Sequence, residues 1–149
     1  METRAATAIR EGLPSDGALM LEIDGLGRSQ AERAALLRES LRQGQCLVVE
    51  ADCAVRGLVV LNYSFFGFGF IPLVVVSATH RRAGLGLRLI LAAEARCTSA
   101  KLFSSANASN DAAHALFGRA GFKRSGVVEN LDEGDSEIVY FKRCQHHDR

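Results

Sequence analysis

Residues 74–90, which read VVVSATHRRAGLGLRLI, constrain the fold of this chain more than any other segment. A β-branched run ends in a short polar stretch, and two arginines and a Gly-x-Gly lead directly into a leucine-rich helical pattern. The first turn of a helix has unpaired N–H groups and a partial positive charge, and glycines let a phosphate approach those groups closely. Arginines add charge-assisted hydrogen bonds. The segment therefore predicts a strand, a loop and a helix that bind a diphosphate-bearing cofactor.

A purely structural turn is the alternative interpretation of this Gly-x-Gly. Two known phosphate loops do not match the segment. The P-loop pattern G-x-x-x-x-G-K-[ST] is absent, and the dinucleotide fingerprint G-x-G-x-x-G fails because Leu89 occupies the position of its third glycine. Because neither pattern is present, the sequence disfavours both a P-loop domain and a dinucleotide-binding domain.

Periodicity and turn residues predict the remaining elements. The predicted strands cover residues 3–11, 46–50, 57–62, 70–76, 101–106, 126–128 and 137–141. The predicted helices cover residues 15–24, 29–43, 84–98 and 110–120, with a capping box at Ser29 and Glu32 and a C-cap at Gly121. Three strands in succession exclude a regular βαβ alternation. The order is that of a mixed α/β fold in a single domain, residues 1–149, of which residues 142–149 form a polar tail.

Composition narrows the function classes. The formal net charge is +1, which argues against nucleic acid as a partner. No apolar run approaches the roughly 20 residues that span a bilayer, so no membrane association is expected. The four cysteines show no C-x-x-C pair, and the two histidines near the end belong to a polar tail, so no metal site is predicted. Reduced thiols and the lack of a secretory signal predict a cytoplasmic location.

Two motifs carry a family resemblance. The run R-x-x-G-x-G over residues 81–86 resembles the acetyl-CoA loop of the GNAT superfamily of N-acetyltransferases. The segment NDAAHALFGRAGF, residues 110–122, resembles the N-x-x-A-x-x-L-Y-x-x-x-G-F segment of that superfamily. The predicted strand order is also that of the superfamily, and the similarity covers roughly residues 45–142 well.

The resemblance implies a mixed sheet of about seven strands that splays between the fourth and fifth strands, with about four helices. In such a sheet, backbone groups of the fourth strand pair with the pantetheine arm, much as an added strand does. Backbone N–H groups of the loop hold the pyrophosphate, and the motif asparagine contacts the cofactor near the thioester. The implied cofactor-binding residues are Val74, Val75, Val76, Arg81, Arg82, Ala83, Gly84, Leu85, Gly86, Leu87, Asn110 and Phe117.

The usual proton-handling residues of the superfamily are absent from their positions. In many members the tyrosine of the L-Y pair acts as the general acid. This chain has Phe117 at that position, which has no proton to give and is expected to pack as an apolar residue. Members that acetylate protein N-termini often carry a glutamate base five residues before the motif asparagine, where this chain has Ser105. The resemblance therefore leaves the catalytic residues open and argues against a substrate of the ribosomal-protein type.

Two residues are candidates for the missing roles. Tyr140 is predicted on the last strand, where a half-buried structural role is the alternative. Glu129 begins the acidic run ENLDEGDS, which is either a solvated hairpin tip or an anionic rim that attracts a cationic amine and accepts its proton through water. His80, beside the arginines, is expected to be solvent-exposed. The stretch FFGFGF, residues 65–70, is compatible with an apolar substrate wall, with core packing or with a mobile loop.

The function predicted from the resemblance is acetyl transfer from acetyl-CoA to an amine of a small molecule or peptide, by direct attack in a ternary complex. The alternative is a catalytically weak acyl-CoA-binding module that serves as a sensor or partner domain. Acetyl-CoA is the predicted co-substrate. The predicted partner is the amine, and a homodimer remains an open alternative for the oligomeric state.

Overall fold

A computed structural model describes residues 7–24 and 31–144 of the chain. Its strands are β1 (Ala8–Glu11), β2 (Cys46–Ala51), β3 (Ala54–Phe65), β4 (Phe68–Val76), β5 (Lys101–Asn107), β6 (Lys123–Asp132) and β7 (Asp135–Arg143). Its α-helices are α1 (Gly17–Asp24), α2 (Ala31–Arg42), α3 (Leu85–Arg96) and α4 (Asp111–Arg119). The strands follow the order β1-β2-β3-β4-β5-β7-β6 in a mixed sheet, and the predicted α/β class is confirmed.

The chain forms two compact units. The N-terminal unit comprises the described residues up to Leu61 together with Leu73–Ala93. The C-terminal unit comprises Asn62–Pro72 together with the described residues from Glu94 onward. The prediction of a single domain stays a prediction. Within the described ranges, no helix combines the length and the apolar character that crossing a bilayer requires.

The N-terminal unit is built on the antiparallel strands β1, β2 and β3. Helix α2 buries Ala34, Leu37 and Leu41, the stripe that the sequence pattern predicts. The core of this unit consists of buried apolar residues from two helices and three strands: Met20, Leu37, Leu41, Cys46, Val48, Val55, Leu58, Val60 and Leu73. Near it, Asp16 accepts hydrogen bonds from both terminal nitrogens of Arg10, at 2.9 and 3.0 Å.

In the C-terminal unit, β5 pairs antiparallel with β7, and β7 pairs with β6. The parallel pairing of β4 with β5 is confined to Gly69, Phe70 and Ile71 of β4. Pro72 follows at once, and a proline has no N–H to donate to a neighbouring strand. Pairing therefore ends at the residue where the sequence predicts a bulge or an unpaired position.

Three local predictions need correction. The stretch FFGFGF is not a mobile loop, because β3 and β4 run through it and meet in a two-residue turn at Phe66 and Gly67, with φ of 53° and 82°. Two positive φ values are typical of the type I′ turns that match strand twist. Strands β6 and β7 also extend through most of the acidic run and leave only Glu133 and Gly134 as the turn. Residues 142–144 are not a polar tail, because β7 runs to Arg143 and both Lys142 and Cys144 are buried. Ser29 of the predicted capping box and residues 145–149 lie outside the described residues.

Candidate active site

The diphosphate loop, residues 81–87, lies in the N-terminal unit between β4 and the body of α3. A 3₁₀ turn at Ala78–His80 follows the strand, and α3 begins at Leu85. The helix is anchored by a buried stripe that includes Leu85, Leu89 and Ala93, none of which is more than 5% exposed. This spacing fixes the position of the helix start while residues 81–84 remain exposed.

The backbone of the diphosphate loop suits an anion. Gly84 adopts φ of 77° and Arg82 φ of 68°, and left-handed values of this kind are costly for residues other than glycine. The Gly84 carbonyl accepts the first helical hydrogen bond from the Arg88 N–H, at 3.1 Å, so the N–H groups of residues 85–87 precede the helical ladder. A Cβ built on Gly84 would meet no atom within 4 Å, and the first turn of α3 contains no acidic residue. These features fit the diphosphate of a cofactor such as acetyl-CoA.

The residue before the loop ties it to a neighbouring hairpin. His80 Nε2 donates to Asp52 Oδ2 over 2.8 Å, at the tip of the β2–β3 hairpin. The hydrogen bond from His80 lowers the pKa of the Asp52 carboxyl. Thr79 Oγ1 lies 2.8 Å from His80 Nδ1. The His80 side chain is only 18% exposed, so the expectation of a solvent-exposed histidine is wrong.

The end of β4 is fixed to β3 on one edge. The Ser77 N–H donates to the Arg56 carbonyl over 2.7 Å, and a Cβ on Gly57 would lie 2.9 Å from the Val75 carbonyl oxygen. Glycine is therefore required at position 57 by the close approach of the two strands. Arg81 Nε donates to the Val76 carbonyl over 3.4 Å, so part of this guanidinium holds the strand end.

In the C-terminal unit, Asn110 caps α4. Its side-chain carbonyl accepts from the Ala113 N–H over 3.1 Å, which satisfies one of the free donors of the helix start. The side-chain NH₂ has no partner among the described residues and is free to donate. Gly121, predicted as the C-cap, lies one residue after the C-cap Ala120, with φ of 88°.

Tyr140 is half-buried on β7 and has a histidine partner. Its hydroxyl lies 2.6 Å from His114 Nδ1, and His114 Nε2 lies 3.1 Å from the Ala108 carbonyl. A carbonyl only accepts, so Nε2 carries a proton and donates to Ala108, which leaves Nδ1 in contact with the Tyr140 hydroxyl. The Tyr140 ring also lies 5.1 Å from the ring of Phe117, which is 2% exposed.

The other candidate residues occupy different surroundings. Glu129 is exposed on β6 and has no hydrogen bond or ion pair to any residue that the structure describes. No described contact links it to Tyr140. Ser105 Oγ donates to Glu137 Oε2 over 2.7 Å. The structure therefore joins Ser105 to a carboxylate that the sequence pattern did not single out.

Sequence reasoning missed His114 and Glu137. His114 lies within the motif that begins at Asn110, but nothing in the pattern indicates the strand residue that it contacts. Glu137 becomes recognisable only from strand register, because Asn107 pairs with Glu137 and Ser105 pairs with Val139. Among the described residues, no group of three or more His, Cys, Asp or Glu side chains is arranged to hold a metal ion.

Comparison with known proteins defines the class. The sequence profile of the Acetyltransferase (GNAT) family matches residues 19–122, more than half of the chain. The fold and the sequence thus define an acetyltransferase. This chain belongs to the GNAT family, whose members use acetyl-CoA and acetylate amines. A search among curated proteins found no match.

Solved structures share the fold over nearly the whole chain. A GNAT-family acetyltransferase from Bacillus cereus is 32% identical with a TM-score of 0.86, over 93% of this chain and 98% of that one. The putative acetyltransferase yncA of Salmonella typhimurium, solved with its cofactor acetyl-CoA, is 21% identical with a TM-score of 0.75, over 97% and 98% of the two chains. The ribosomal-protein-S18-alanine N-acetyltransferase of Escherichia coli is 17% identical with a TM-score of 0.76, over 93% and 94%. At these lower identities the likeness concerns the fold alone.

Proposed function

We propose that this protein transfers the acetyl group of acetyl-CoA to an amine of a small molecule or peptide by direct attack in a ternary complex. The observation that carries the proposal is the diphosphate loop, which combines exposed arginines, a left-handed Gly84 with open space beside it, and helical N–H groups without helical partners. When bound, acetyl-CoA supplies the acetyl group as a thioester.

The cofactor-binding residues divide between two kinds of group. Backbone groups of residues 74–76 and 82–87 bind the pantetheine arm and the diphosphate, and the Arg81 and Arg82 side chains add positive charge. The free NH₂ group of Asn110 donates near the thioester. Phe117 packs as an apolar residue against the cofactor arm.

Proton transfer requires side chains beyond these. An ammonium with a pKa near 10.4 is mostly protonated at pH 7, so attack needs a proton acceptor. The departing thiolate, with a thiol pKa near 8.5, is a tolerable leaving group and benefits from a proton donor. Tyr140 is the proposed donor, His114 holds its hydroxyl in place, and solvent restores its proton. Glu129 is an exposed carboxylate that attracts a cationic amine.

The test is release of free thiol from acetyl-CoA with a panel of small and peptidyl amines, measured against hydrolysis without amine. Amine-dependent release well above that background supports the proposal, and the Gly84→Glu variant serves as the binding-deficient control. Phe117 and Ser105 favour the second candidate, an acyl-CoA-binding module, because neither handles a proton by itself. Tight acetyl-CoA binding without amine-dependent release would support that module and overturn the enzyme.

A further inference from the structure

The carboxylates of the β6–β7 hairpin differ sharply in their surroundings. Glu129 and Glu133 are exposed and have no side-chain hydrogen bond or ion pair to another described residue. Asp132 accepts from Asn107 Nδ2 over 2.8 Å, and Asp135 accepts from the Ser109 backbone N–H over 3.1 Å and from its hydroxyl. These two therefore fasten the hairpin to the end of β5. Among these carboxylates, Glu137 has its partner on the neighbouring strand β5, where Ser105 Oγ donates to it.

The Glu137 carboxylate retains most of its capacity to accept hydrogen bonds. An ionised carboxylate has about four lone-pair sites, and the described residues fill one of them. No described lysine, arginine or histidine pairs with Glu137. A half-buried anion with one neutral donor and no counter-ion attracts a cation, and an ammonium group can donate to it directly.

The surroundings of Glu137 indicate which ammonium fits. Side chains alternate along a strand, so Glu137, Val139 and Phe141 share one face of β7. Phe103 on β5 lies 6.1 Å from Phe141, and Phe65 lies 4.6 Å from Phe103, between ring centres. One face of the C-terminal unit thus carries an anion at one end and aromatic rings at the other. This arrangement suits a primary amine on an apolar or aromatic body.

We propose that Glu137 is the catalytic residue that takes the proton of the acceptor ammonium, that Ser105 positions its carboxylate, and that the acceptor is a primary amine on an apolar body. This inference rests on the proposed acetyl transfer. The ammonium loses one proton to Glu137, and the neutral nitrogen bonds to the acetyl carbon while the carbon–sulfur bond breaks. The acylated nitrogen then releases its second proton to water. The departing thiolate takes a proton from water, and Glu137 returns its proton to solvent. The products are the amide, free coenzyme A and one proton.

The central experiment is a pH profile of kcat/KM for the Glu137→Gln variant with an arylalkyl amine. Glutamine keeps the shape of the side chain and still accepts from Ser105, so the fold should survive. We expect a loss of about 100-fold at pH 7 that shrinks toward pH 9.5, where the amine is increasingly neutral by itself. The affinity for acetyl-CoA should be unchanged. A purely structural role for Glu137 would give a loss that does not depend on pH.

A transposed carboxylate gives a second readout. In the double variant Glu137→Gln, Ser105→Glu, the carboxylate moves across the 2.7 Å contact to the neighbouring strand, and we expect activity to recover by about tenfold or more relative to Glu137→Gln. Glu32→Gln, which neutralises an exposed carboxylate on α2, should stay within about twofold of wild type. If Glu137→Gln keeps wild-type activity, or if Glu129→Gln rather than Glu137→Gln shows the loss that shrinks toward high pH, the inference is overturned. An inactive wild type would instead mean that the proposed function itself has failed.

Discussion

The proposed diphosphate loop of the N-terminal unit and the side chains proposed to handle protons in the C-terminal unit are built in different ways. The loop uses backbone N–H groups and a left-handed glycine, all within residues 81–87. The C-terminal unit joins side chains that lie far apart in sequence, such as Ser105 with Glu137 and His114 with Tyr140. A backbone site is encoded by spacing and glycine, whereas a side-chain site depends on strand register.

The largest expected effect concerns acetyl-CoA binding at the backbone site, the diphosphate loop. Gly84→Glu places a carboxylate at the helix start, and acetyl-CoA affinity should fall by about 1,000-fold, or about 4 kcal/mol. Calorimetric titration with acetyl-CoA measures this affinity. Gly67→Glu is the matched control, because Gly67 also has a positive φ and open space around it. Both variants should lose about 1 kcal/mol of stability from backbone strain, and only Gly84→Glu should lose binding. Wild-type affinity in Gly84→Glu would refute the loop assignment.

The contact between Arg10 and Asp16 in the N-terminal unit should affect stability rather than binding. Asp16→Asn weakens the contact with Arg10, and the free energy of unfolding should fall by about 2 kcal/mol. The bound guanidinium lowers the pKa of Asp16. This stabilisation is therefore complete above the ordinary aspartate pKa of about 4 and is lost as pH falls through the lowered value.

Denaturant unfolding between pH 2 and pH 6, as approximate limits, measures this effect. Wild type should lose stability toward the acid end, and Asp16→Asn should show a flatter profile. At about 25 °C, Asp16→Asn should bind acetyl-CoA with the same affinity as wild type. Identical acid profiles in the two proteins would contradict the role assigned to the contact between Arg10 and Asp16.

A smaller effect tests the side-chain half of the comparison. Tyr140→Phe removes the proposed proton donor, and turnover should fall by about tenfold, or 1.4 kcal/mol, because a thiolate leaves tolerably without help. Tyr63→Phe is the matched control, since the Tyr63 hydroxyl accepts from the Thr98 N–H over 3.0 Å. Each variant should lose about 1 kcal/mol of stability. Equal turnover in both would leave Tyr140 with a structural role only.

The smallest effect concerns Phe117, the residue at the usual tyrosine position. Its ring lies 5.1 Å from Tyr140 and 5.4 Å from Phe122, in a buried aromatic group. Phe117→Tyr adds one hydroxyl, and the loss of stability should stay below about 1.5 kcal/mol. Turnover should equal or exceed that of wild type. A large fall in turnover would show that the shape of Phe117 serves the reaction.

The sequence predicted strands and helices well where local chemistry is distinctive. Pro72 marks the end of the pairing of β4 with β5, and Asn110 begins α4 with its own side chain. The turn at Phe66 and Gly67 escaped prediction because a phenylalanine rarely takes a positive φ. The long β6–β7 hairpin escaped prediction because its polar, charged residues are depleted in strands generally.

By itself, the sequence determined the α/β class and the GNAT family and predicted the diphosphate loop, because these depend on glycine spacing, helix starts and strand order along a continuous segment. Only the tertiary structure decided which polar side chains meet. Ser105 and Glu137 are 32 residues apart, and His114 and Tyr140 are 26 residues apart. The pairing of β5 with β7 and the packing of α4 bring them together, because hydrogen-bond register and burial, rather than any local motif, fix those distances.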